Sequence, residues 1–196
     1  MTSINSNRKS LVCGVGINDA DYPVTKKING KTLSCPFYKK WLSMIQRCYS
    51  PSVHIRQPTY TKCSVAEEWQ SFMTFREWMK RQDWRGNALD KDILIKSNKV
   101  YSPETCLFIP CSINNLMNGN DANRGKYAQG VYWNKNHRKF KAQIKTCKIN
   151  SKFLGYFNTE NEAGLAYKKA KSDYIRAIAF QQSDYRIAKA LLNQTP

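Results

Sequence analysis

Two carboxylates flank a lysine at Asp90, Lys91 and Asp92. We predict a strand over residues 88–95, in which side chains two residues apart point to one face, so both carboxylates share that face. Such a pair can bind a divalent cation or accept a proton, and the lysine can bind a phosphate group. The alternative is a solvated pair that forms salt bridges with neighbouring lysines.

A second group of residues is suited to binding a polyanion. Residues 139–145 alternate strictly between apolar and polar side chains, which is typical of a strand with one packed face. The packed face holds Phe140, Ala142 and Ile144. The exposed face holds Lys139, Lys141, Gln143 and Lys145. The exposed face is cationic, so we expect it to contact phosphate.

The charge of the whole chain supports a polyanionic partner. The 196 residues include 32 Lys and Arg against 14 Asp and Glu, a net charge of +18. Residues 1–118 contribute 17 basic and 9 acidic side chains, and residues 119–196 contribute 15 and 5, so both parts are basic. Solubility alone does not require so large an imbalance. Hydrophobic residues make up 41%, which is enough for a packed core.

The sequence contains no apolar run long enough to span a membrane and no secretory signal peptide. Its seven cysteines are an odd number, and we interpret them as reduced thiols of a cytoplasmic protein. No motif indicates a small-molecule cofactor.

The first part of the chain combines helices with short strands. We predict a short strand at residues 12–16, a polar loop at 26–34, and amphipathic helices from Pro36 to about Cys48 and over 65–81. After the strand at 88–95, a second strand at 106–109 leads into a short helix at 113–117. An Asn- and Gly-rich linker at 119–125 then separates a domain of residues 1–118 from one of residues 126–196.

The second domain is predicted to be a three-stranded sheet packed on one helix. Strands at 130–133 and 152–157 flank the alternating strand. Thr159 and Glu162 form a capping box, and the following helix has small alanines that allow it to lie close to the sheet. The fold class is therefore α+β.

This second domain closely resembles the AP2 DNA-binding domain, over residues 125–178. The resemblance is carried by Gly130-Val131-Tyr132-Trp133, Lys139-Phe140-Lys141-Ala142-Gln143-Ile144, Phe153-Leu154-Gly155-Tyr156-Phe157-Asn158-Thr159-Glu160, Glu162-Ala163 and Ala166-Tyr167. It implies that the sheet enters the major groove of double-stranded DNA. The residues implied to contact DNA are Tyr132, Trp133, Lys135, Arg138, Lys139, Lys141, Gln143 and Lys145. Lysines favour phosphate contacts over base reading.

The first domain looks like the HNH homing endonucleases of phages, over residues 11–118. The similar segments are Trp41-x-x-Met44-x-x-Arg47-Cys48-Tyr49, Glu68-Trp69-x-x-Phe72-x-x-Phe75, Leu89-Asp90-Lys91-Asp92, Tyr101-Ser102-Pro103-Glu104-Thr105-Cys106 and Asn114-Asn115. The resemblance implies a ββα (His-Me) finger that binds one Mg²⁺ or Mn²⁺ ion. Asp90 and Asn114, or Asn115, then occupy the positions of the metal ligands.

The chain departs from the HNH pattern at the catalytic positions. Lys91 replaces the general-base histidine and Thr105 the asparagine that orients it. A protonated lysine cannot accept a proton at pH 7, so we expect Asp92 to take that part while Lys91 binds the scissile phosphate. His54 is the only histidine before the linker, and it is either a distant substitute or an ordinary loop residue.

Some HNH domains contain structural zinc, which makes the cysteines a second candidate metal site. They lack CxxC spacing, so we expect buried thiols and treat a zinc site as the alternative. The cysteines concerned are Cys48, Cys63, Cys106 and Cys111.

Two functions follow from the resemblances. The first is a phage-encoded, metal-dependent DNA endonuclease that acts in the bacterial cytoplasm and is targeted by its AP2 module. The second is a catalytically inactive HNH-fold DNA-binding protein that regulates or inhibits host factors. Binding to RNA or to protein is a third possibility.

Overall fold

A computed structural model describes residues 11–117, 125–145 and 151–193. Within these ranges the protein is a mixed α+β structure that divides into two compact units, residues 1–110 and 111–196. The second unit therefore begins before the predicted boundary at residue 118 and includes the short helix at 111–117. The predicted linker, residues 119–125, lies outside the described residues apart from Gly125.

The first unit begins with a turn and a hairpin. Residues 12–16 form a tight turn rather than the strand expected, because Cys13 and Gly14 adopt positive φ angles of 51° and 76°. The polar loop expected at 26–34 is a β-hairpin of β1 (Thr25–Ile28) and β2 (Lys31–Ser34). Its turn is Asn29-Gly30, with φ angles of 51° and 74°, and this dipeptide suits the two-residue turns that join antiparallel strands.

Three helices and two 3₁₀ turns build most of the first unit. They are α1 (Pro36–Tyr49), α2 (Pro51–Arg56) and α3 (Phe72–Lys80), with 3₁₀ turns at Pro58–Tyr60 and Glu67–Gln70. The helix expected over 65–81 begins later, since the Ser71 hydroxyl accepts the N–H of Thr74 and caps α3. The preceding residues include β3 (Ser64–Val65) instead.

Aromatic side chains form the core of the first unit. Trp41 and Trp69 are fully buried, and the indole N–H of Trp41 donates to the carbonyl oxygen of Trp69 at 2.8 Å. The Trp69 ring also packs against Trp78, with 4.5 Å between ring centroids. The apolar stripes of α1 and α3 therefore serve as core.

The strand expected over residues 88–95 ends much earlier. β4 (Asn87–Asp90) pairs antiparallel with β6 (Leu107–Pro110), and β5 (Val100–Tyr101) pairs parallel with β3. Asp92 is therefore not on a strand, and the prediction that Asp90 and Asp92 point to one face of a strand is wrong. The chain continues from β6 into α4 (Cys111–Met117), the first element of the second unit.

The second unit contains the expected three-stranded sheet. β7 (Val131–Asn134), β8 (Lys139–Lys145) and β9 (Ser151–Phe157) are antiparallel in that order, and α5 (Glu160–Ala179) packs on them. The capping box of Thr159 and Glu162 is confirmed. Val131, Ala142 and Ala163 are buried between sheet and helix. α6 (Tyr185–Asn193) packs against α5.

No helix in the described part of the chain combines the length and the apolar character that crossing a bilayer requires.

Gly130 permits the close approach of α5 to the sheet. Its φ is +75°, and a Cβ there would clash with the Tyr167 ring and lie 2.8 Å from the carbonyl oxygen of Gln143. We expect Gly130→Ala to destabilise the second unit by about 2–4 kcal/mol, from left-handed strain and overpacking. Chemical denaturation followed by circular dichroism measures this change.

Gly164→Ala is the matched control. Gly164 lies within α5, and its added Cβ would meet Ala128 at an ordinary 3.7 Å. This variant should be stabilised by up to about 1 kcal/mol, because alanine favours helix over glycine. Equal stability of the two variants would contradict the role given to Gly130.

Candidate functional site

One face of the three-stranded sheet is turned away from α5. The strand register places Tyr132, Lys141 and Tyr156 side by side on this face, one on each strand. The neighbouring row, which includes Val131 and Ala142, faces the buried core. Tyr132 is 52% exposed and Tyr156 is 38% exposed, and Lys141 lies half-buried between them. A cation and two phenol groups thus form a row across the sheet.

A β-bulge adds a further aromatic ring to this face. Ala142 pairs with Gly155 and Gln143 pairs with Phe153, so Leu154 has no partner in the register. The extra residue places Phe153 and Tyr156 on the same face although they are three residues apart. Their ring centroids are 5.1 Å apart, and the Lys141 Nζ atom lies 5.9 Å from the centroid of Phe153.

The turn between β7 and β8 extends the face. Its Arg138 has a φ of 50°, and the backbone N–H of His137 donates to Asn134 Oδ1 at 3.0 Å. The His137 ring packs on Tyr156, with 4.3 Å between centroids and an interplanar angle of 35°. Lys135 and Arg138 are both exposed. The turn therefore adds two cations beside the aromatic row.

The structure distributes the residues predicted to contact DNA over two faces. Trp133 pairs with Phe140 on the helix side, where their rings lie 4.9 Å apart, although Trp133 is 42% exposed at the margin. Tyr132 and the polar residues of β8 share the opposite face, namely Lys139, Lys141, Gln143 and Lys145. Sequence reasoning missed Phe153 and Tyr156. The signal available for them was Gly155, since glycine inside a strand often marks a bulge.

The strands of this sheet contain basic side chains and no acidic ones. The sequence has no acidic residue from Gly125 to Thr159, a range that covers all three strands and the turn. The lysines of the sheet therefore have no carboxylate on the sheet itself with which to pair.

The Asp90 carboxylate organises the turn that follows β4. Its Oδ1 atom accepts the backbone N–H groups of Asp92 and Ile93 at 2.8 and 2.7 Å. This is the usual manner in which an aspartate terminates a strand and begins a turn. Burial raises the pKa of Asp90 above its ordinary value, and the two backbone hydrogen bonds oppose that shift.

Lys91 is buried and fully hydrogen-bonded. Its side chain is 5% exposed, and Nζ donates to both carboxylate oxygens of Asp92, at 2.8 and 2.7 Å, and to the carbonyl oxygen of Asn98 at 2.8 Å. An ammonium group has three N–H donors, so these acceptors use all of them. The predicted phosphate ligand and the predicted proton acceptor are therefore bonded to each other.

Two further side chains hold the same loop. Asn98 donates from Nδ2 to the carbonyl oxygens of Lys91 and Val100, at 2.9 and 2.7 Å. The Thr105 hydroxyl also donates to Val100, at 2.9 Å. Thr105, predicted to orient a catalytic group, thus lies against the loop that contains Lys91. Asn98 was not identified from the sequence.

Asn114 lies on α4, in the second unit. Among the residues that the structure describes, no three His, Cys, Asp or Glu side chains are grouped to hold a metal ion. His54 places Nε2 3.0 Å from the carbonyl oxygen of Arg47. The Mg²⁺ or Mn²⁺ site stays a prediction.

The cysteines considered for zinc are in different environments. Cys48, Cys63 and Cys106 are buried, and Cys111 is exposed at the start of α4. Burial raises the pKa of Cys48 and of Cys106 to about 12, so both are neutral thiols at pH 7.

Comparison of the chain with protein-family models, with curated proteins and with solved structures finds no match.

The Asp90 turn can be tested by two substitutions. Asp90→Asn keeps an oxygen acceptor and removes a partly buried charge, whereas Asp90→Ala leaves two backbone N–H groups without their acceptor. We expect Asp90→Ala to lower the free energy of unfolding by about 1–3 kcal/mol and Asp90→Asn to leave it equal or higher at pH 7.

The advantage of Asp90→Asn should depend on pH. A carboxyl whose pKa is raised by folding destabilises the folded state once it ionises. The advantage should be absent near about pH 3, where the carboxyl is protonated in both states, and should grow as pH rises through the Asp90 pKa. Urea denaturation across this pH range measures it, and the opposite slope would refute the assignment.

Proposed function

We propose that this chain is a double-stranded DNA-binding protein that uses the exposed face of the β7–β9 sheet. The observation that carries the proposal is the row of Tyr132, Lys141 and Tyr156, presented on a sheet whose three strands contain no acidic residue. The resemblance of residues 125–178 to the AP2 domain supports the same reading.

The major groove is the site that suits this face. The groove is about 12 Å wide and admits a narrow β-sheet. Lys139 and Lys145 are exposed and can neutralise backbone phosphates, while Gln143 and the tyrosine hydroxyls can reach base edges or sugars. Arg138, in the turn, is the one arginine from Gly125 to Thr159. Since bidentate base reading depends chiefly on arginine, we expect modest sequence specificity.

The triple variant Lys139→Ala, Lys141→Ala and Lys145→Ala tests the sheet. Each lost phosphate contact should reduce the slope of log affinity against log salt by about 0.9, so the slope should fall by about 2–3. Fluorescence anisotropy with a labelled duplex at several salt concentrations measures it.

A control variant removes the same charge from the helices, at Lys168, Lys169 and Lys189, which are exposed on α5 and α6. It should bind with nearly the parental slope. If both triple variants behaved alike, binding would follow net charge and not the sheet.

Metal-dependent DNA cleavage is a second candidate function. Asp90 ends β4, β4 pairs with β6, and α4 with Asn114 follows β6 directly along the chain. That order is the one expected of an HNH finger. By residue type Asp90 and Asn114 fit as oxygen ligands of Mg²⁺ or Mn²⁺, an ion that would stabilise the leaving oxygen of a cleaved phosphodiester.

The proton acceptor is the weak part of the nuclease hypothesis. Lys91 is buried, and its ammonium group donates hydrogen bonds to both carboxylate oxygens of Asp92, so the side chain expected to accept a proton from water is already engaged by Lys91. We therefore favour a non-catalytic DNA-binding protein, with regulation or inhibition of host factors as its proposed use.

Supercoiled plasmid incubated with the protein and Mg²⁺ or Mn²⁺ distinguishes the two functions. We expect retarded plasmid with no nicked or linear product. Asp90→Asn is the informative variant because it preserves the turn after β4. Nicking by the parent protein that disappears in Asp90→Asn would establish the nuclease and refute the non-catalytic reading.

A further inference from the structure

The β1–β2 hairpin is an exposed ribbon in the first unit. All eight residues of its two strands are exposed, and the backbone N–H of Cys35 donates to the carbonyl oxygen of Val24 at 2.7 Å to close its base. A two-stranded hairpin by itself is marginally stable in water. Burial within its own unit therefore stabilises this ribbon little. Contact with a binding partner would explain why it presents the side chains that it does.

The side chains of the ribbon separate into two faces. Lys26 pairs with Leu33 and Ile28 pairs with Lys31, and all four side chains share one face. Ile28 and Leu33 are more than half exposed. Lys27 lies on the opposite face, with threonine and serine neighbours. One face thus combines two cations with two aliphatic side chains.

The surrounding sequence makes the ribbon strongly cationic. No acidic residue occurs from Tyr22 to Ala66. The basic residues in the same range are Lys26, Lys27, Lys31, Lys39, Lys40, Arg47, Arg56 and Lys62. In the part of the chain that the structure describes, the three lysines of the ribbon form no salt bridge.

From these observations we infer that the β1–β2 hairpin is a second DNA-binding element, which lies in a groove of duplex DNA. Two-stranded ribbons have the width to enter the major groove. The lysines contact phosphates on both sides of the groove, and Ile28 and Leu33 contact thymine methyl groups, as apolar side chains do in the major groove. The element belongs to the first unit, whereas the β7–β9 sheet belongs to the second.

Charge removal tests the phosphate contacts. In the full-length protein, the variant Lys26→Ala, Lys27→Ala and Lys31→Ala should bind a labelled 30-base-pair duplex at least about tenfold more weakly, with a salt slope lower by about 2–3. Because these three lysines are exposed, the unfolding midpoint should not change. The helix variant at Lys168, Lys169 and Lys189 is the charge-matched control, and equal binding by the two variants would overturn the inference.

Two further variants keep the charge and test the shape of the ribbon. Ile28→Ser with Leu33→Ser should weaken binding several-fold with an unchanged salt slope, because apolar contacts release no counterions. Asn29→Ala with Gly30→Ala replaces both left-handed turn residues and should weaken binding by loosening the turn. Parental affinity in both variants would refute a role for the ribbon as an ordered element.

Two comparisons separate this inference from the proposal for the sheet. If the sheet variant binds normally and the hairpin variant does not, the hairpin inference stands and the sheet proposal fails. If the hairpin variant retains parental affinity for DNA and instead loses sedimentation with anionic lipid vesicles, the hairpin contacts a membrane surface and the inference is wrong.

Discussion

A buried charge must be paired, and in the first unit this constraint falls on Lys91. Its ammonium group is held by both oxygens of Asp92 and by the carbonyl oxygen of Asn98. Removing one partner from such a buried group costs several times what an exposed ion pair contributes. The conformation of the loop between β4 and β5 therefore depends on this interaction. The same loop contains Lys91 and Asp92, the residues at the positions that the HNH resemblance makes catalytic, so their arrangement depends on it as well.

The need to pair a buried charge gives position 91 a structural role, which differs from the catalytic role that the HNH resemblance implies for it. A histidine at position 91 would offer a neutral nitrogen at pH 7, whereas lysine there offers a fixed cation that organises the backbone. Asp90 also has a structural role, since its Oδ1 atom accepts hydrogen bonds from two backbone N–H groups. Asp90, Lys91 and Asp92 are residue types that suggest metal and phosphate chemistry. In this fold their hydrogen bonds within the turn are also a sufficient reason for their presence.

In the second unit the decisive constraint is one extra residue in β9. Without the bulge at Leu154, Phe153 and Tyr156 would lie on opposite faces of the sheet. With it, both rings join Tyr132 and Lys141 on the exposed face. The proposed binding surface is therefore partly aromatic, and not the purely cationic strip that the alternation of β8 alone predicts.

The sequence by itself determined the elements whose signals are local. The apolar repeat of α1, the alternation of β8 and the capping box of Thr159 and Glu162 each depend on neighbours within a few residues. The signal of the Asn29-Gly30 turn is equally local, but the hairpin was missed because each face of its strands contains lysine and neither face is apolar throughout. Tertiary structure decided which groups share a surface, because pairing across strands and burial of a charge depend on residues distant in sequence. The bulge opposite Ala142, the end of β4 at Asp90 and the burial of Lys91 are all of that kind.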